Sequence, residues 1–271
     1  MTRREFLKDS AFAALFAAGG CRLADFGGFA VNGIRIGAQM WSVNDLWKKD
    51  PAGAFRRLKA LGYDGVQSLA FYDMDRKELE RMLDGEGVAI VDMPFRMEMV
   101  APDKINAYVE FCQQFGIDFA YDPWEKFDTG DKWRRHAEAL LAVGEKLGKY
   151  GIRVGYHNHQ HEMKETYDGK TPFDYLYEAG LAFELDVGHV KLAGGDPVAW
   201  LKRLADRVPS IHAKPGGGDS VGGAGDTNDW PAIFDAAAAA GTKWAVVECE
   251  TRRDRYDDVA LSAEYLRNVE V

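Results

Sequence analysis

From residue 34 onward the chain repeats one pattern eight times, a short apolar run followed by a longer stretch with helical spacing, and few folds accommodate that order. The apolar runs span 34–40, 65–70, 88–93, 119–123, 153–158, 182–187, 210–214 and 244–248. They are short and rich in β-branched or aromatic residues, as buried strands are. Between them the spacing predicts helices over 51–61, 77–83, 103–115, 132–150, 172–178, 197–205, 232–240 and 256–268. Several of these open on proline, which suits a first helical turn. Strands joined by crossover helices run parallel, and eight such units close on themselves. The sequence therefore predicts an α/β chain folded as a single (β/α)8 barrel over residues 31–271. An open doubly wound sheet is the alternative. It is disfavoured because Gly37-Ala38-Gln39-Met40-Trp41 follows the first strand, where a dinucleotide fold carries G-x-G-x-x-G.

A length of 271 residues suits one such domain, since barrels of this class run to roughly 250 residues. With 46% hydrophobic and 28% charged residues, the composition is that of a globular chain. The net charge of -9 repels nucleic-acid backbones, so no nucleic-acid partner is expected. Cys21, Cys112 and Cys249 are too scattered for a disulfide framework or a C-x-x-C metal pair, and Cys249 reads as a buried core thiol. The 216–225 segment holds six glycines and reads as a flexible lid, with a phosphate cradle as the alternative.

Residues 1–24 stand apart. Arg3-Arg4, then Phe6-Leu7-Lys8, precede an apolar run over 11–18, the order of a twin-arginine export signal. Ala18-Gly19-Gly20-Cys21 resembles a lipoprotein cleavage box, in which Cys21 would carry a lipid anchor. Export to the periplasm or cell envelope is the expectation. The competing reading is an ordinary first helix and a cytoplasmic protein. The apolar run is far short of the ~20 residues a membrane span needs.

Chemistry in such a barrel sits at the C-terminal strand ends, so the polar residues that close each apolar run are the ones to inspect. The fifth strand runs into Tyr156-His157-Asn158-His159-Gln160-His161-Glu162, the sixth into Glu184-Leu185-Asp186-Val187-Gly188-His189. The seventh carries Ile211-His212-Ala213-Lys214 and the eighth ends Val247-Glu248-Cys249-Glu250. Alternation along a strand directs Asp186, His212 and Glu248 into the barrel mouth. Carboxylates buried together stay ionised most readily around a divalent cation, and a mixed carboxylate and imidazole set suits Mn, Co, Zn, Mg or Fe better than calcium. His157 and His159, two apart, share a face as a ligand pair or as imidazoles hydrogen-bonded in the mouth. Trp41, Trp124 and Phe95, near strand ends, either stack on a sugar's apolar face or pack in the core.

These residues resemble the sugar phosphate isomerase/epimerase group of xylose-isomerase-like TIM barrels, which also takes in inosose dehydratase relatives. The likeness runs from Ile34 to Leu266. Its marks are Gln39-Met40-Trp41-Ser42-Val43, Gly62-Tyr63-Asp64-Gly65-Val66, Gly155-Tyr156-His157-Asn158-His159 with Glu162, and Leu185-Asp186-Val187-Gly188-His189. His212 with Lys214, Asp229-Trp230-Pro231-Ala232-Ile233-Phe234 and Val247-Glu248 complete them. The resemblance implies one divalent metal ion held by Glu162, Asp186, His212 and Glu248. The fifth-strand member stays open, because Glu162 lies beyond the strand end and His157 or His159 could reach the ion instead. Glu162, Glu248, His159 and Lys214 are the implied catalytic residues, and Gln39, Trp41, Trp124, His157 and His189 the implied substrate contacts. Two positions depart from the pattern: Gln67 stands where many relatives carry a glutamate, and Pro215 replaces an acid after the seventh-strand lysine. Both argue against a mechanism of two opposed glutamates.

The expected function is a metal-dependent isomerase or epimerase acting on a sugar or keto-sugar through an enediolate. On the same site, elimination from an inosose or a 3-keto-glycoside is an alternative. A metallohydrolase resembling endonuclease IV, which needs more histidines and a basic groove, and a non-catalytic carbohydrate-binding barrel are the others. A small carbohydrate is the expected partner, and assembly into a homo-oligomer is compatible with the sequence.

Overall fold

The computed structural model describes residues 28–250 and 255–271, and the leader expected over 1–24, with Cys21, lies outside them. Eight staves run in parallel: β1 Ile34–Gln39, β2 Gly65–Gln67, β3 in two pieces at Ala89–Ile90 and Met93–Pro94, β4 Phe119–Asp122, β5 Arg153–His157, β6 Ala182–Asp186, β7 Ser210–Ala213 and β8 Trp244–Val247. Trp244 pairs with Arg35 on one side and Ser210 on the other, so β8 joins β1 to β7. The ring is completed at β3, whose first piece lies along Gly65–Val66 and whose second lies along Ala120–Tyr121. This interruption at Val91-Asp92 was not legible in the 88–93 run. A barrel is the fold expected, and this is one.

Eight outer helices follow the staves: α1 Pro51–Ala60, α2 Arg76–Glu86, α3 Ile105–Gln114, α4 Gly130–Leu147, α5 Pro172–Glu178, α6 Pro197–Leu204, α7 Trp230–Ala239 and α8 Tyr256–Arg267. Side-chain oxygens satisfy the open backbone amides at their starts: Asp50 accepts from Gly53, Thr171 from Asp174, Asp196 from Val198 and Asp229 from Ala232. Among the described residues no helix is long and apolar enough to cross a membrane.

The apolar core fills the layer between staves and helices, where Ile36, Val66, Phe183, Leu185, Ile211 and Val247 are fully buried. The barrel interior differs. Gly37 and Gly65 leave room for Val91 at its floor: a Cβ on Gly65 would lie 2.5 Å from Val91 Cγ2. Higher up the interior is polar, with Gln67, Asp92, Glu184, Ser210 and His212 all buried. Barrels of this class are usually packed there with branched apolar side chains, so a buried polar layer requires its own hydrogen-bond network.

Candidate metal centre

Strand alternation builds that layer, because residues two apart on a stave face the same way. On β6 Glu184 and Asp186 point inward, and the pairing of Asp186 with His212 sets their side chains side by side. His157, Asp186 and His212, all buried, offer ligand atoms that lie within 4.8 Å of one another. Glu248 extends the group from β8, with Oε2 3.2 Å from His212 Nδ1. Four successive staves thus converge on one place.

Beneath it, Gln67 ties the cluster together. Its amide donates to Asp92 Oδ1 at 2.6 Å and to Glu184 Oε1 at 2.5 Å, and its carbonyl oxygen stands 2.8 Å from His212 Nε2. Ser210 Oγ donates to Asp92 Oδ2 at 2.8 Å. A proton on His212 Nε2 is therefore held by Gln67, which leaves Nδ1 turned toward Asp186 and Glu248.

Three buried atoms in this cluster make no hydrogen bond: Asp186 Oδ2, Glu184 Oε2 and His157 Nδ1. His157 Nδ1 and Glu184 Oε2 lie 3.1 Å apart but out of line for one. Orphaned buried acceptors cost about 1–3 kcal/mol each, more when charged, and a cation relieves that cost. The donor set of two imidazoles and two carboxylates fits a divalent transition metal or magnesium. His157, Asp186, His212 and Glu248 therefore fit the ion that the sequence implies.

Charge is balanced within the cluster. Burial disfavours the His212 imidazolium, but Glu184 and Glu248 outweigh it and raise its pKa well above the ordinary value. Burial likewise disfavours ionised Glu248, yet Lys214 and His212 hold it well below the usual carboxylate range. Lys214, 3.3 Å from Glu248 and paired also with Glu250, is shifted up and keeps its proton. Asp92 goes the other way: burial and the Glu184 charge push it well up.

Above the cluster a rim of imidazoles forms. His159 lies between His157 and His189, with ring centroids 4.8 Å from each. Burial and those neighbours push its pKa down to about 2, so it is neutral. Asp186 Oδ1 accepts the His189 amide at 2.7 Å, which fixes the start of the 187–192 turn. Trp41 and Trp124 are each 53% exposed at the mouth, open to a ligand. Gln39 Oε1 accepts the Trp41 amide at 2.6 Å and so positions that ring.

Other expectations land elsewhere. Glu162 is fully buried but belongs to neither group of ligating side chains found among the described residues. It accepts from the Tyr156 hydroxyl and the His159 amide, both at 2.7 Å. The side chain of Tyr156 faces the helices, opposite to His157, and it draws Glu162 to that side. Phe95 takes the second of its two readings: it is buried in the core against Tyr108 and cannot stack on a substrate. The 216–225 segment is tied down rather than loose, since Asp226 accepts the Gly216 and Gly222 amides at 2.7 and 2.8 Å and the Trp230 indole at 2.6 Å. Cys249 is buried as expected, its thiol pushed up to about 12 by burial.

Two members of the site went unread in the sequence. Glu184 is recoverable from alternation with Asp186, and Asp92 as the one polar residue inside the third apolar run. A second mixed group, Asp122, Glu125 and His136, had no such signal.

The family model of the xylose isomerase-like TIM barrel matches residues 55–269. Among curated relatives, the chain is 27% identical to the rhizopine catabolism protein MocC of Rhizobium meliloti over 142 residues, 45% of this chain and 44% of that one. It is 32% identical to an inosose dehydratase of Lacticaseibacillus casei over 92 residues, 32% of this chain and 29% of that one. The chain spans less than half the length of these curated relatives. In fold it is similar to a sugar phosphate isomerase/epimerase from Parabacteroides distasonis, with a TM-score of 0.73 at 22% identity, covering 87% of this chain and 94% of that one.

Proposed function

This chain belongs to the xylose isomerase-like TIM barrel family, and from that premise we propose that it is a metal-dependent isomerase or epimerase of a sugar or keto-sugar. The observation that carries the reading is the convergence of His157, Asp186 and His212 with a buried, unbonded Asp186 Oδ2. These three and Glu248 would hold the ion. Lewis acidity from a divalent cation bound there polarises a substrate carbonyl and acidifies the neighbouring C–H.

The chain's own groups handle the proton. Glu248, held ionised by the Lys214 ammonium, takes it from the α-carbon. The Lys214 ammonium faces the charge that develops on the enediolate oxygen. His159, neutral at the rim, hydrogen-bonds a substrate hydroxyl, and Glu162 holds the His159 backbone from behind. Return of the proton by Glu248 to the adjacent carbon gives an isomer, whereas an epimer needs a proton delivered from water on the opposite face while Glu248 keeps the one it took. Trp41, Trp124, Gln39 and His189 line the entrance for the ring and its hydroxyls.

Likeness to an inosose dehydratase favours a second reading on the same site, in which the enediolate expels a β-hydroxyl. The test is proton exchange in D2O at the α-carbon of keto-sugars and inososes. Exchange is expected with manganese- or cobalt-loaded protein, and should vanish on chelation and in Glu248→Gln. In H2O, products of unchanged mass support isomerisation or epimerisation, and loss of water supports the dehydratase. If no member of the panel exchanges while sugar binding survives chelation, the enzymatic reading fails and a binding role replaces it.

A further inference from the structure

A second cluster lies on the other side of the barrel wall. Along β4, Phe119 and Tyr121 face the interior, where the Tyr121 ring stands 6.0 Å from His157. Asp122 alternates away from them, toward α4, and meets His136 there. Asp122 and His136 are 3% and 7% exposed. Asp122 Oδ2 and His136 Nε2 face each other at 2.9 Å, out of line for a hydrogen bond, and neither atom makes one. Two buried atoms in that condition together cost more than most exposed ion pairs return.

The third member arrives on the loop after β4. Glu125 is half-buried, and its backbone is fixed at both ends: its amide donates to the Tyr156 hydroxyl at 3.0 Å, and its carbonyl oxygen accepts from His161 Nε2 at 2.8 Å. That grip aims the carboxylate at the buried pair, so ligand atoms from Asp122, Glu125 and His136 lie within 4.8 Å of one another. One imidazole and two carboxylates, with an open side toward solvent at Glu125, make a three-ligand set that water can complete.

We propose that Asp122, Glu125 and His136 form a second, structural site for a divalent transition metal, separated from the barrel-mouth centre by the strand wall. Bound there, an ion clamps the 123–129 loop onto α4 and so fixes Trp124, which stands at the entrance. The two sites share no side chain, so the proposal does not depend on the function assigned to the mouth.

Chelator-stripped full-length protein titrated with Co(II), read by visible absorption and elemental analysis, tests this. Two equivalents are expected per chain, one in Asp186→Asn, and one in either His136→Gln or Glu125→Gln. The double variant Asp186→Asn/Glu125→Gln should bind none. Glu125 is only half-buried, so its variant reports even where His136→Gln misfolds. One equivalent in the wild type that survives Glu125→Gln would overturn the proposal and leave Asp122–His136 an ordinary ion pair. If the Asp186 variant loses nothing while the Glu125 variant does, the outer site stands and the mouth reading fails instead.

Discussion

Gln67 does something that a glutamate at its position could not. Its two N–H groups reach Asp92 and Glu184 while its oxygen faces His212, so one neutral amide serves two acids and an imidazole. A carboxylate there would set a negative charge beside Glu184 and offer no donor. Gln67→Glu should therefore lose about 3–5 kcal/mol of unfolding free energy in urea at neutral pH, and an unchanged midpoint would contradict this account of the layer. Asp92 tests the same layer through pH. Burial first, then the Glu184 charge, raise its folded pKa well above the ordinary 3.8. The folded chain thus keeps a proton that the unfolded chain releases. The stability so conferred is complete below about pH 4 and declines as pH rises toward the folded pKa, at most by about 1.4 kcal/mol per pH unit. Asp92→Asn mimics the protonated acid, so above about pH 4 its stability should fall less steeply with pH than that of the wild type. Parallel curves for the two proteins would mean that Asp92 is ionised in the fold.

At the scale of elements, the staves were legible because each is a short apolar run punctuated by helical spacing, and the outer helices because proline or aspartate marks their starts. What the runs do not encode is where hydrogen bonding breaks. The gap in β3 arises because its two pieces pair with different neighbours, a tertiary matter. The site was half legible for the same reason. Asp186, His212 and Glu248 lie at or within one residue of the ends of their staves, so alternation alone aims them inward. Glu162 lies past the end of β5, and there the outward-facing Tyr156 decides its direction. This distinction is measurable. Glu162→Gln should keep full metal stoichiometry by elemental analysis and cost about 1–3 kcal/mol of stability, the scale of a disturbed buried hydrogen bond. His157→Gln should fold and bind metal at least tenfold more weakly. The reverse pattern would restore Glu162 as the ligand of β5.

At the scale of the whole molecule, an ion at the mouth would tie β5, β6, β7 and β8 to one point, so its binding free energy is also folding free energy. A ligand present at a hundred times its dissociation constant stabilises the folded chain by about 2.7 kcal/mol when it has no affinity for the unfolded one. For a domain of this size each kcal/mol moves the melting temperature by about 2–4 °C. Manganese or cobalt added to chelator-treated protein should therefore raise Tm by about 5–10 °C in a calorimetric scan. Most of that gain should disappear in Asp186→Asn. The outer cluster contributes separately, because Asp122 and His136 tie β4 to α4 and share no ligand with the mouth. Glu125→Gln should remove its own increment and leave the one that depends on Asp186, as expected for well-separated sites whose effects add. A metal-independent Tm in the wild type would instead mean that the polar interior is balanced by His212 and Lys214 alone.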